Sequence, residues 1–282
     1  MGRERAPIGV FDSGVGGLTV AREIIRQMPQ ERLVYFGDTA RVPYGSKSKD
    51  TVIRYSRQII RFLRTQEVKA IVIACNTASA YALETVVAES DIPILGVIHA
   101  GAKSAAQVTR NGKIGVIGTQ ATISTGIYPE EILAINPKVE VIQKACPLLC
   151  PLVEEGLLHD SVTDEIISRY VSGLKQKYID TLVLGCTHYP LLRSAIRRIM
   201  GDEVALVNPA YETAIELKDV LASHQLLNHF PMADSEEKYQ FYVSDMAEQF
   251  KDFATSILPD DVKQTNIIHI ESVSYTHLTL PT

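Results

Sequence analysis

Two stretches, Ala70-Ile-Val-Ile-Ala-Cys-Asn-Thr77 and Thr181-Leu-Val-Leu-Gly-Cys-Thr-His188, have the same form. Each is a short aliphatic run without polar alternation, as a strand buried on both faces of a parallel sheet reads. Each run ends on a cysteine followed by polar residues. A second pair, Ile8-Gly-Val-Phe-Asp-Ser13 and Ile114-Gly-Val-Ile-Gly-Thr119, stands ahead of them in the same order. The offsets are 106 positions, from 8 to 114, and 111 positions, from 71 to 182. Two similar offsets in one order imply two related halves. Each half then supplies one cysteine at the same place, the carboxyl end of a strand just before a helix. Open α/β sheets gather their ligands there. Two such halves facing each other enclose one site with a thiol on either side.

Working outward, short Val- and Ile-rich runs recur at Ile8–Phe11, Leu33–Phe36, Ala70–Ala74, Ile94–Val97, Ile114–Ile117, Val139–Ile142, Leu182–Leu184 and Val204–Val207. Amphipathic stretches lie between several of them. Leu18, Ala21, Ile24, Ile25 and Met28 share one helical face, as do Val52, Tyr55, Ile59, Ile60 and Leu63. Strand–helix alternation of this kind predicts an α/β fold with parallel sheets. The chain has 282 residues, enough for two domains. The segment 272–282, Ser/Thr-rich and without core patterning, reads as translated vector or adapter sequence and is left out of the fold.

The formal net charge is −5, and no basic stretch interleaves with aromatics, so nucleic acid is not an expected partner. No apolar run approaches the roughly 20 residues that span a bilayer, and no signal-peptide core follows the charged start. A cytoplasmic protein is expected, with its four cysteines, Cys75, Cys146, Cys150 and Cys186, as reduced thiols. No Cys-x-x-Cys pair is present. Cys146 and Cys150 across a Pro-containing turn are a weak metal signal, and no metal is expected.

The residues flanking the cysteines carry the candidate chemistry. The N–H groups and dipole of a helix after Cys75 would favour its thiolate, with Asn76 and Thr77 as polar ligand contacts. An isolated cysteine in such a run is otherwise a small buried hydrophobe. Cys186 precedes Thr187 and His188, and Pro190 suits a first helical turn. His188 either tunes Cys186, touches a carboxylate, or is a satisfied histidine at a helix start. A Cys–His hydrolase is a further reading, but it leaves Cys75 unexplained. The glycine-rich loop Asp12-Ser-Gly-Val-Gly-Gly17 tempts a dinucleotide reading, with Asp38 as the ribose acid. Thr19 replaces the third glycine of that fingerprint, and Asp12 would face a pyrophosphate. A turn that lets a small zwitterion approach the backbone fits better. Tyr44 and Gly45 belong to a polar loop that is either ligand-binding or plain surface. Thr119 and Thr122 suit a carboxylate or cap a helix. Glu154, read alone, is a solvated charge.

Five segments together resemble the glutamate racemases of the aspartate/glutamate racemase superfamily. They are Gly9-Val-Phe-Asp-Ser-Gly-Val-Gly-Gly-Leu-Thr-Val20, Gly37-Asp-Thr-Ala-Arg-Val-Pro-Tyr-Gly45, Ala74-Cys-Asn-Thr-Ala78, Cys146-Pro-Leu-Leu149 with Glu154-Glu-Gly156, and Leu184-Gly-Cys-Thr-His-Tyr-Pro190. The resemblance implies two pseudo-symmetric parallel-sheet α/β domains facing each other across a central active-site cleft, the second inserted in the first. Residues 1–98 with 208–271 would form one and 99–207 the other. It implies that Cys75 and Cys186 are the proton donor and acceptor in a cofactor-independent, two-base interconversion of L- and D-glutamate for peptidoglycan. Asp12, Ser13, Tyr44, Gly45, Asn76, Thr77, Thr187 and His188 match ligand-contact positions, and Thr119, Thr122 and Glu154 match secondary site positions. Asp12 beside Cys75, and His188 with Glu154 beside Cys186, are the candidates for tuning each thiol. Cys150 departs from the family, which more often has Val there, outside the catalytic motifs. A homodimer is expected. Aspartate or hydantoin racemisation is the nearest alternative, and a binding role toward a DNA-handling enzyme is one from another class.

Overall fold

A computed structural model describes residues 2–230, 238–245, 247–258 and 267–269, and the segment 272–282 lies outside them. The chain begins β1 (Ile8–Asp12), α1 (Leu18–Gln27), β2 (Leu33–Gly37), α2 (Lys49–Thr65), β3 (Ala70–Ile73), α3 (Asn76–Ala88), β4 (Ile94–Gly96), α4 (Val97–Val108). It continues β5 (Lys113–Gly118), α5 (Gln120–Ser124), α6 (Ile127–Ile135), β6 (Glu140–Ala145), α7 (Leu149–Glu154), α8 (Ser161–Gln176), β7 (Thr181–Gly185), α9 (Arg193–Met200), β8 (Ala205–Val207). It returns as α10 (Pro209–Ser223), β9 (Tyr239–Val243), α11 (Ala247–Ile257) and β10 (Ile267–His269). All eight aliphatic runs of the sequence are strands.

The strands form two all-parallel sheets, ordered β10-β9-β2-β1-β3-β4 and β6-β5-β7-β8. The second sheet repeats the strands β2-β1-β3-β4 of the first in the same order. The registers also agree. Gly9 pairs with Ile71 in the first sheet, and Gly115 pairs with Leu182 in the second. These are the residues that the sequence echo aligns, so the two cysteine-bearing strands sit identically against their central strands. Gly9 and Gly115 share a further reason. A Cβ on Gly9 would lie 3.3 Å from Leu63 of α2, and one on Gly115 would lie 2.5 Å from Ile179 beside β7.

Helices cover both faces of each sheet, as parallel strands require. The first helical face read from the sequence, Leu18 to Met28, is wholly buried with α10 and α11 on one side of the first sheet. On the other side Val52, Ile59 and Leu63 are buried, while Tyr55 and Ile60 pack at the margin. Helix α4 crosses from one sheet to the other: Val97 joins the first core, and Ile98, Ala102 and Ala105 join the second. Helix α10 brings the chain back beside it, so closely that a Cβ on Gly101 would meet Pro209 at 2.9 Å. No helix among the described residues is long and apolar enough to cross a membrane.

Strand β9 was not among the runs read from the sequence. Its residues alternate, with Tyr239, Phe241 and Val243 buried and Gln240 and Tyr242 less so, because it lies outside the doubly covered centre. The returning chain is tied down by a buried ion pair. Lys69, just before β3, meets Glu31 and also donates to the Glu4 carbonyl at 2.6 Å, and Glu31 accepts from Asn228 N–H at 2.8 Å. Removing one partner of such a pair strands a charge in the interior. Lys69→Met is expected to cost about 3 kcal/mol or more of stability, read as a lower midpoint in urea denaturation.

Candidate active site

The carboxyl ends of β1, β3, β5 and β7 meet, and the sequence-derived residues converge there. Asp12 ends β1, and Gly14 N–H donates to its Oδ2 at 3.0 Å. Asp12 is fully buried, and its Oδ1 has no hydrogen-bond partner among the described residues. Burial pushes its carboxyl up, while His188 and the amides of Gly17, Gly14 and Ser13 pull it back. The glycine loop is built for close approach. A Cβ on Gly17 would sit 2.4 Å from that of Asp12, and one on Gly16 would sit 2.4 Å from Thr187 Oγ1 and 2.6 Å from His188 Nδ1. Thr19, the residue that argued against a dinucleotide, donates to the Thr187 carbonyl at 3.0 Å and so ties the two halves together.

Cys75 caps α3. Ala78 N–H donates to its Sγ at 3.4 Å, and the thiol lies 3.7 Å from Ser13 Oγ. The expected thiolate preference does not prevail. Burial first, then the charge of Asp12, pushes the Cys75 thiol up to about 12, against the helix amide and Ser13. A helix terminus contributes a fraction of a charge, and it cannot offset complete desolvation next to a carboxylate. Asn76 Oδ1 accepts from Tyr128 OH on α6 at 2.7 Å. Thr77 Oγ1 lies 3.0 Å from Thr119 Oγ1 and 3.3 Å from Thr122 Oγ1, a hydroxyl cluster that joins the halves. Thr119 also caps α5 through Thr122 N–H at 3.2 Å. Gly45 packs on Thr119, where a Cβ would come within 3.0 Å. Tyr44 is buried in the same cluster as Cys75, but its hydroxyl donates to Asp38. That carboxylate also holds Arg41, so Asp38 orders this loop.

Cys186 differs from Cys75 in its surroundings. The sequence placed a helix shortly after each, with Pro190 in the first turn of the second. Here Thr187 and His188 lead into a 3-10 turn, Tyr189–Leu192, and α9 starts only at Arg193. The partners of Cys186 are side chains instead. His188 Nδ1 is 3.7 Å from its Sγ, and His188 Nε2 is 2.9 Å from Glu154 Oε1. The sequence read Cys150 as lying outside this chemistry, yet its Sγ is 3.4 Å from that of Cys186. The signal was available: Cys150 and Glu154 are four apart on α7, hence on one face, and Cys186 and His188 are two apart on the facing loop. Cys146, which the sequence paired with Cys150, turns away to the Lys144 carbonyl at 3.5 Å. The bond with Cys150 and burial hold the Cys186 thiol well above its usual range, against the pull of His188. Burial alone would lower His188, but Cys186 and Glu154 outweigh it and raise the imidazole to about 10.

The arrangement is a closed polar site with a thiol on each side, one beside an aspartate and the other beside a histidine–glutamate pair. Residues 8–215 match the model of the family described as Asp/Glu/hydantoin racemase. The chain is 51% identical over 243 residues to the glutamate racemase of Geobacter metallireducens, covering 86% of this chain and 89% of that protein. Among solved structures it resembles glutamate racemase isoform RacE1 from Bacillus anthracis, with a TM-score of 0.89, 38% identity, and 95% and 98% of the two chains covered. It also resembles the glutamate racemase of Francisella tularensis, solved in complex with D-glutamate, with a TM-score of 0.84, 38% identity, and 96% and 98% covered.

An exposed cysteine reacts with iodoacetamide at a rate that levels off above its ordinary thiol pKa, about 8.5. With its thiol pushed up to about 12, Cys75 is expected to be alkylated slowly at pH 7. Its rate should climb about tenfold per pH unit with no plateau by about pH 10, because only the thiolate reacts. Peptide mass spectrometry on ligand-free protein measures this, and a plateau between about pH 8 and 9 would contradict it.

Proposed function

The chain belongs to the Asp/Glu/hydantoin racemase family, and from that premise we propose that it interconverts L- and D-glutamate with Cys75 and Cys186 as its two proton-transferring groups. One observation carries the reading. Equivalent strands of two related sheets deliver one buried thiol each to a single site. The names of the similar proteins support glutamate as the substrate.

The reaction needs the Cα–H bond broken on one face and remade on the other. The thiolate of one cysteine takes the proton, forming S–H, and the thiol of the other gives its proton to the opposite face. The roles exchange with the enantiomer bound. The unpartnered, buried Oδ1 of Asp12 is a ready acceptor for the substrate ammonium. That pairing cancels part of the aspartate charge that raises Cys75, so substrate arrival itself promotes the thiolate. On the other side, His188, steadied by Glu154, donates to Cys186 when that sulfur carries the charge. Ser13, Asn76, Thr77, Thr119, Thr122 and Thr187 supply hydroxyl and amide contacts to the substrate carboxylates, with Tyr44 and Gly45 shaping the wall. Closure of the halves over these contacts excludes water.

The two thiols carry the chemistry without a cofactor in this reading. Pyridoxal chemistry needs a Schiff-base lysine. The buried Lys69 is engaged with Glu31 at the amino end of β3, about 20 Å of extended chain from Cys75. The same reading makes the chain a cytoplasmic homodimer that supplies D-glutamate for peptidoglycan. Its domains are residues 1–98 with 208–271, and 99–207.

Turnover of D-glutamate in heavy water tests the mechanism. At early times the L-glutamate formed should carry deuterium at Cα while recovered D-glutamate keeps its hydrogen, as two separate bases require. Equal labelling of both enantiomers would point to one base. Cys75→Ser and Cys186→Ser should each slow racemisation by at least about 100-fold, the usual scale for losing a general acid or base. Gly16→Ala, which intrudes on Thr187 and His188, should reduce kcat/KM by about tenfold or more with little change in thermal midpoint, measured by circular dichroism.

A further inference from the structure

Three soft or borderline donors converge beside the second sheet: Cys150 Sγ, Cys186 Sγ and His188 Nδ1, all within 4.8 Å of one another. A tetrahedral zinc with Zn–S near 2.3 Å and Zn–N near 2.05 Å places its sulfurs about 3.8 Å apart and sulfur about 3.6 Å from nitrogen. The chain holds them at 3.4 Å and 3.7 Å. Helix α7 sets up the outer contact as well, since Glu154 takes the other imidazole nitrogen at 2.9 Å. A carboxylate on the remote nitrogen of a ligating histidine fixes its tautomer and strengthens the ligand.

We propose that Cys150, Cys186 and His188 form a binding site for a thiophilic divalent cation, with zinc as the ion it fits, and that occupancy switches Cys186 off as a proton-transfer group. The thiols of Cys150 and Cys186 and the Nδ1–H of the His188 imidazolium lose three protons to solvent. Two sulfur–metal bonds form, and the Nδ1 lone pair so freed supplies the third bond, while Nε2–H stays on Glu154. Two thiolates neutralise the ion, so a neutral cluster stays in the interior. Three protein ligands leave the fourth position to water. Cys150 is the distinguishing residue. With a valine there, Cys186 and His188 alone make a poor site. The inhibitory half of the inference rests on the proposed function, and the binding half does not.

Titration of the reduced full-length chain with cobalt(II), then zinc(II), tests it. Wild-type protein should bind one cobalt per chain, with the visible bands of a tetrahedral site and a near-ultraviolet sulfur-to-cobalt band. Cys150→Val should halve the sulfur band and weaken zinc by at least about 100-fold, measured against a chelator. Cys146→Ala, outside the cluster, should change neither. Zinc should stop α-proton exchange of glutamate by the wild type and be reversed by chelator, and Cys150→Val should need at least about 100-fold more zinc relative to its own metal-free rate. No saturable binding, or a sulfur band unchanged in Cys150→Val, overturns the site. Binding without inhibition overturns the switch. A metal-free wild type that fails to exchange glutamate is instead a failure of the proposed function, separable because the cobalt spectrum needs no substrate.

Discussion

The register between a central strand and its cysteine-bearing neighbour is the constraint from which the site follows. Parallel pairing admits no slip of a single residue without turning every side chain to the other face. Because Gly9 meets Ile71 and Gly115 meets Leu182, Cys75 and Cys186 leave their sheets at equivalent points. The glycines at these pairings let the covering side chains sit against the central strands, and larger residues would lift them away. Everything at the cleft inherits its position from this pairing, including the Thr77, Thr119 and Thr122 hydroxyls that join the halves.

The skeleton is nearly symmetric, but its chemistry is not. Cys75 has a helix terminus and a buried aspartate. Cys186 has an imidazole, a carboxylate behind it and a second thiol. Burial raises the Cys75 thiol, and the bond with Cys150 together with burial raises that of Cys186, since a low-dielectric interior disfavours an isolated charge. The empty site therefore holds both sulfurs as neutral thiols beside a charged aspartate and imidazolium. Kept protonated, the two sulfur nucleophiles stay quiet until a ligand arrives.

The strands, the two thiols and the glycine loop were legible because they depend on patterns that local sequence carries: doubly buried aliphatic runs, strand-end cysteines, a turn that demands small residues. Strand β9 was not, because its aromatic alternation belongs to a less covered position in the sheet. The contrast at Cys186 was hidden for another reason. Pro190 reads as a helix start, yet it sits in a 3-10 turn that delays α9 and leaves the thiol to side-chain partners. Cys150 was misplaced because its meaning depends on α7 docking on the β7 loop, a contact 36 residues away in sequence. Family comparison at that position suggested a neutral substitution, whereas the geometry sets the sulfur against Cys186.

The unlike surroundings of the two thiols have a consequence for how the enzyme divides its work between mirror images. The two enantiomers are equal in free energy in water, so the Haldane relation forces equal kcat/KM in the two directions whatever the protein does. A site that pairs one sulfur with aspartate and the other with histidine cannot hold both hands of the substrate equally well. The difference must then surface as matched changes in kcat and KM: the hand held more tightly turns over more slowly, by the same factor. Asymmetry in the cleft thus sets which hand accumulates on the enzyme and leaves the final mixture untouched.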